Sequence, residues 1–304
     1  MSGAGRPETY AVEVTEDPAA FLAVAGDLLA AEPLLTTVVS TATQRALVAV
    51  MAGDPSPDHP RWWASVHDQS GAVVGLAMRT APFAPHPPFV LAMPEAAARA
   101  LARAVLDRGE DLGGVNGSLP TAQVVADEAA RLTGRRAEVH EHTRLFELGE
   151  LVEPAPVPGR LRAATPDDAG LALEWFNAFA ADAAEQAGRS EATSFEHHDL
   201  ADMLQRIGQR RVWLWQDEAG ETVHLTGHGL PAYGVARIGP VYTPSRHRGR
   251  GYASAGVAAV SRQLRAEGAR VCLFTDQANP TSNKIYEALG FRRVVDMANL
   301  VLVP

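Results

Sequence analysis

The chain is almost without cysteine. Cys272 is the only one in 304 residues. One thiol cannot build a disulfide framework within a chain, which fits a reducing compartment, and a mid-strand position suits a small buried hydrophobe. No apolar run approaches the roughly 20 residues of a spanning helix, and the opening MSGAGRPETY has no apolar leader segment. These absences lead to the expectation of a soluble, cytoplasmic protein without a membrane partner. Positive charge is in deficit as well. A net charge of −9 argues against nucleic acid as the bulk partner. Neither G-x-x-x-x-G-K-[ST] nor a G-x-G-x-x-G leading into a helix occurs, so the common nucleotide-binding signatures are excluded. No metal site is expected.

What remains is ordinary globular material, 46% hydrophobic and 21% charged, long enough for two domains. The chemistry concentrates between Ala236 and Phe291. An apolar strand leads into Arg248-Gly249-Arg250-Gly251-Tyr252-Ala253, a turn in which glycine permits close approach and positive φ. Ala253, Val257, Val260 and Leu264 then recur on one helical stripe, with Ser254, Ser261, Arg262 and Arg265 away from it and Gly268 as the stop. A strand, a glycine turn and a helix N-terminus form an anion cradle suited to phosphate. Arg246, His247, Arg248 and Arg250 add positive charge to it. Residues 270–275 follow as a short strand. Asn279-Pro280 opens another helix, with Asn279, Ser282, Asn283 and Tyr286 on one face and Gly290 at its end.

This succession resembles the GNAT family, the Gcn5-related N-acetyltransferases. The R/Q-x-x-G-x-G/A signature corresponds to Arg248–Ala253. The preceding strand corresponds to Gly239–Pro244, and the late N-x-x-(S/N)-x-x-x-Y-x-x-x-G-F segment to Asn279, Ser282, Tyr286, Gly290 and Phe291. The resemblance implies an α/β fold with a mixed sheet and acetyl-CoA as cosubstrate. The amides of Arg250, Gly251, Ala253 and Ser254 would hold its pyrophosphate, with Arg248, Gly249 and Tyr252 in the same turn. The main chain of Val241, Tyr242 and Thr243 would pair with the pantetheine arm. Asn279, Ser282, Asn283 and Tyr286 would border it, and Tyr286 would be the general acid for the departing thiolate.

Earlier in the chain the same order of elements can be read once before. Residues 1–9 form an expected disordered tail. A strand, two helices, a hairpin around Gly71, a short strand, an Ala-rich helix, a weak strand, a helix ending at Gly134 and a closing strand or pair at 137–148 follow. EPAPVPG, residues 153–159, reads as a linker. Beyond it come a strand, a helix over 171–184, a polar ambiguous stretch at 185–198, a helix over 200–207, and a hairpin around Gly220. Trp63 and Trp213, Gly71 and Gly220, and Gly134 and Gly290 occupy matching places, which suggests an internal duplication. The expectation is two tandem GNAT-like folds: 1–152 without the cofactor motif, a linker at 153–160, and an active domain at 161–304. The first half has Ala92-Met93-Pro94-Glu95-Ala96-Ala97 where the second has its signature, with no glycine or arginine and with Glu95 to repel phosphate. An unrelated α/β domain is the other reading of that half.

The expected function is acetyl transfer from acetyl-CoA to a primary amine of a small molecule or peptide, by direct attack in a ternary complex. The alternative is a non-catalytic acyl-CoA sensor or partner-binding module. The base is left open by the residues. The central strands offer His224 and His228, with Tyr233 near; His228 is the candidate, beside the plainer reading of each as a structural or solvated histidine. Glu174 and Trp175 are candidates for the acceptor border. The chain is expected as a monomer, a pseudo-dimer of halves, or as a homodimer.

Overall fold

The computed structural model describes residues 9–186 and 198–304. All but the last residue of the expected tail, and residues 187–197 of the polar stretch, lie outside the described residues. The chain forms two compact units, residues 1–142 with 296–304, and residues 143–295.

The first unit is built from β1 (Ala11–Thr15), α1 (Pro18–Ala31), α2 (Thr37–Ala52), β2 (Trp62–His67), β3 (Val73–Arg79), β4 (Phe89–Val90), α3 (Glu95–Asp107), β5 (Gly114–Ser118), α4 (Thr121–Thr133) and the start of β6 (Arg136–Leu148). Strands β1, β2, β3 and β4 pair antiparallel in succession, and β4 is parallel to β5. Side-chain alternation along β2 divides the core. Trp62, Ala64 and Val66 pack with Leu101 of α3 and Val125 of α4, whereas Trp63 packs with Phe21 and Leu29 of α1. The buried Trp63 indole N–H is satisfied by Thr43 Oγ1 of α2 at 2.8 Å.

The second unit repeats this plan with β7 (Arg160–Ala163), α5 (Ala169–Gln186), α6 (Leu200–Gly208), β8 (Val212–Gln216), β9 (Thr222–His228), β10 (Val235–Tyr242), α7 (Tyr252–Ala266), β11 (Arg270–Asp276), α8 (Pro280–Ala288) and the start of β12 (Phe291–Val303). Strands β7 to β10 are antiparallel neighbours, and β10 is parallel to β11. Leu214 and Leu225 pack under α5 and α6, while Ala236 and Ile238 pack under α7 and α8. The fold is α/β with a mixed sheet, and its plan occurs twice. Gly71 and Gly220, in the matching hairpin turns, have φ of 83° and 82°.

Each unit is closed by a strand that the expected boundaries assign to the other half. In the first, β5 pairs with Met297–Val301 of β12; in the second, β11 pairs with Thr143–Glu147 of β6. The contact division therefore differs from the expected boundaries at 152 and 161. Residues 143–152 belong with the second unit and 296–304 with the first. The expected linker is also packed on the second unit. Glu153 pairs with Arg262 of α7 at 2.6 Å, and the Trp215 indole donates to the Pro158 carbonyl at 3.0 Å. The closing element at 136–148 is one strand rather than a pair, and β12, 13 residues long, has no counterpart in the sequence reading.

Candidate functional site

The site begins where two parallel strands part. Val235–Ile238 of β10 pair with Arg270–Leu273 of β11, and the pairing goes no further. Beyond Ile238 the register of β10 on β9 shifts, resuming at Val241 opposite Thr226 and Tyr242 opposite Leu225. Gly239, at φ 156°, stands in the shift. On its other edge β11 stays paired with β6 from Cys272 through Asp276, past the point where its pairing with β10 stops. The main chain of 239–243 is thus left with an edge toward β11 that no strand fills, and an extended ligand arm can pair there.

The same cleft ends at the N-terminus of α7. Gly249 and Gly251 have φ of 74° and 84°, and Gly251 is the N-cap, without any side-chain cap bond. The first intrahelical bond runs from Ala255 N–H to Gly251 O, so the N–H groups of Tyr252, Ala253 and Ser254 have no partner within the helix. No acidic residue lies in its first turn. Glycine leaves these amides uncovered, and the helix dipole favours an anion. Tyr252 contributes main chain only; its ring is buried with Trp215 and Val223. Ser261, expected away from the apolar stripe, is buried with it. The arginines divide in role. Arg248 donates to Thr243 O at 2.9 Å and to Asp182 Oδ2 of α5 at 2.7 Å; Arg246 lies 3.5 Å from Glu221. Arg250 has no carboxylate partner among the described residues and donates to the Arg246 carbonyl at 3.5 Å. His247 is buried, with Nε2 3.3 Å from Glu221.

The first unit lacks this arrangement. Helix α3 begins after Pro94 with Glu95 in its first turn, and Glu95 is paired to Arg99 at 2.7 Å. Where β4 ends, Met93 N–H donates to Thr121 Oγ1 at 3.1 Å, and that hydroxyl donates to Met93 O at 3.4 Å. One threonine hydroxyl thus bridges both main-chain polar groups of Met93 just before α3.

The asparagines of α8 build the turn after β11. Asn279 caps the helix, accepting from Ser282 N–H at 3.1 Å. The Asn283 amide donates to the carbonyls of Asp276, Gln277 and Asn279 at 3.2, 3.3 and 2.8 Å. Tyr286, one helical turn on, is 7% exposed in the apolar cluster of Ile238, Val257 and Phe291, its ring 5.9 Å from that of Phe291. Burial pushes its phenol above the ordinary tyrosine range.

His228 lies opposite Ile238 on β9 and is buried. Its Nδ1 is 2.9 Å from Gly229 O. A carbonyl only accepts, so Nδ1 carries the proton and Nε2 keeps a lone pair in the neutral ring. Burial lowers its pKa, so the ring is neutral at pH 7. His224 is enclosed completely, with Thr243 and Thr226 hydroxyls at its two nitrogens, and burial pushes its pKa down to about 3. Trp175 is buried with its ring 5.7 Å from that of Tyr242, Glu174 is exposed, and Tyr233 stands at φ 48° in the β9–β10 turn. No hydrogen bond or ring contact joins Tyr286 to His228 among the described residues. Asp182, which holds both Arg248 and the Tyr242 hydroxyl, escaped the sequence reading. It comes from a helix 66 residues before Arg248 and carries no motif.

Residues 218–299 match the family model of FR47-like protein. No curated protein matches the chain. Among solved structures, a GCN5-related N-acetyltransferase from Sphaerobacter thermophilus is similar with a TM-score of 0.57 and 15% identity, over 97% of this chain and 96% of that one. A GNAT-family acetyltransferase from Colwellia psychrerythraea gives 0.55 and 12%, over 97% and 100%. A tandem GNAT protein from the clavulanic acid biosynthesis pathway gives 0.51 and 17%, over 96% and 98%. The fold is that of the GCN5-related N-acetyltransferases, present in two tandem copies. No helix among the described residues is long and apolar enough to cross a membrane.

Proposed function

We propose that the second unit binds acetyl-CoA and transfers its acetyl group to a primary amine by direct attack in a ternary complex. The observation that carries this is the parting of β10 from β11 after Ile238, with the open edge running to the glycine-built N-terminus of α7. The residues fit the cosubstrate: an extended edge for an amide-bearing arm, and uncovered N–H groups with Arg250 for a pyrophosphate. The asymmetry between α7 and α3 supports one site per chain.

Acetyl-CoA supplies an activated thioester. The chain has to provide a neutral amine, support for the oxyanion and a proton for the thiolate. An alkylamine of pKa ≈ 10.4 is neutral about once in 2,500 at pH 7, a cost of about 4.6 kcal/mol that a base offsets. His228 is the candidate base, through the Nε2 lone pair its bond to Gly229 leaves available. Main-chain N–H near Val241 is the candidate oxyanion donor. Tyr286 is the candidate acid. Its buried phenol keeps its proton throughout the neutral range and so is a hydrogen-bond donor as the C–S bond breaks.

The small-molecule or peptide identity of the amine is the remaining variable. A panel of amines, assayed for CoA release with acetyl-CoA, tests the reading. Turnover on at least one primary amine is expected. Tight acetyl-CoA binding with no turnover on any amine favours a sensor instead.

A further inference from the structure

We infer that His224 is a positioning residue for the cosubstrate cradle, acting through Thr243. The inference rests on the proposed function. Thr243 is the first residue past β10, which ends at Tyr242, and it opens the turn toward α7. It is held twice. Its hydroxyl meets His224 Nδ1 at 2.8 Å, and its carbonyl accepts from Arg248 Nε at 2.9 Å. Arg248 is anchored in turn on Asp182 at 2.7 Å. The strand end and the arginine of the signature are therefore closed into one ring of bonds, and its inner support is His224.

The inner support has no slack. His224 is fully buried on β9, and its Nε2 meets Thr226 Oγ1 at 2.7 Å. A neutral imidazole has one donor and one acceptor, so one threonine donates to it and the other accepts. Both ring nitrogens are satisfied, and a fully satisfied buried network is rigid. Helix α7 makes the room: a Cβ at Gly256 would lie 2.5 Å from His224 Nε2. The glycine thus lets the helix bearing the anion-binding amides lie directly on the histidine that fixes the strand end. Both walls of the cradle take their place from His224 before a ligand arrives, which reduces the ordering cost of binding.

Asparagine and glutamine separate positioning from plain fold stability. His224→Asn puts an amide near the Nδ1 position and retains a partner for Thr243. His224→Gln puts it near Nε2 and serves Thr226 instead. By calorimetric titration with acetyl-CoA, His224→Leu and His224→Gln should raise Kd about tenfold, the loss of one positioned, buried hydrogen bond, while His224→Asn stays within about threefold of wild type. Thr243→Val should match the leucine variant, and the Leu/Val double variant should be no worse than either single one. Melting temperatures that fall alike for Asn and Gln, with Kd unchanged in both, would overturn the inference and leave a structural histidine. Should His224→Leu not fold, Thr243→Val decides, and an unchanged Kd there overturns it. Wild type without acetyl-CoA affinity removes the proposed function and this inference together. Wild-type binding with unaltered variants removes the inference alone.

Discussion

Val157 Cγ2 stands 3.0 Å from the point a Cβ on Gly251 would occupy. Residue 251 is thus constrained twice, by its φ of 84° and by the packed linker above it. A side chain there is strained by roughly 1–2 kcal/mol from the backbone alone and must also displace the valine. Gly251→Ala should weaken acetyl-CoA binding by about tenfold or more. Adding Val157→Ala should restore part of the loss, because it relieves the contact and leaves the φ. Titration of both variants checks this; a double variant no better than Gly251→Ala removes the valine from the account.

Tyr286→Phe keeps the ring against Phe291 and removes the hydroxyl. Acetyl-CoA Kd should change little, and kcat should fall about 10- to 1,000-fold, provided chemistry limits turnover. Because burial raises the phenol's pKa, its acid form persists to higher pH than an ordinary tyrosine. The wild-type rate profile should therefore show no loss from this group up to about pH 10. Equal turnover in the phenylalanine variant leaves Tyr286 as a packing residue.

Stability should decline in mild acid. His224 and His228 are buried with pKa values lowered by desolvation, His224 to about 3. The unfolded chain takes up a proton near pH 6.5 that folded His224 refuses. Stability is therefore fully present above that pH and is lost as pH falls toward 3. For His224 the loss is about 2 kcal/mol at pH 5. Denaturant unfolding of wild type and His224→Asn at pH 7 and pH 5 measures it, and the variant's stability should depend less on pH by about that amount. An identical dependence in both contradicts the buried, neutral histidine.

Residues 161–304 should not retain the site. That fragment lacks Thr143–Glu147, the antiparallel partner of Cys272–Asp276 in β11, and lacks Val157. It exposes an edge strand and one side of the cleft's second wall. The fragment should be poorly soluble, or bind acetyl-CoA much more weakly than the full chain. Full affinity and an unchanged melting temperature in the fragment would place the whole site beyond residue 160.

Local signals carried most of what the sequence revealed. Asn279 and Pro280 name a helix start by their own chemistry, and Gly249 and Gly251 name a turn by the φ values they permit. The apolar stripe of α7 is likewise written in consecutive residues. What the sequence left unread is non-local. The exchange of β6 and β12 depends on pairing between strands far apart in the chain, and an alternating strand does not state its partner. The same holds for Asp182 on Arg248, Val157 over Gly251 and Thr121 across Met93, each set by tertiary approach. Ser261 lay on the expected polar side because a serine is counted as polar, yet it is fully buried.

Calorimetric titration of the full chain with acetyl-CoA tests the central claim most directly. The open edge of β10 and the uncovered amides of α7 in the second unit, against the Thr121 bridge to Met93 and the Glu95 turn in the first, predict one site per chain. Gly251→Glu should abolish binding, whereas a charge-reversing Glu95→Arg in the first unit should leave the stoichiometry at one. No binding by wild type, two sites per chain, or unchanged affinity in Gly251→Glu would contradict it.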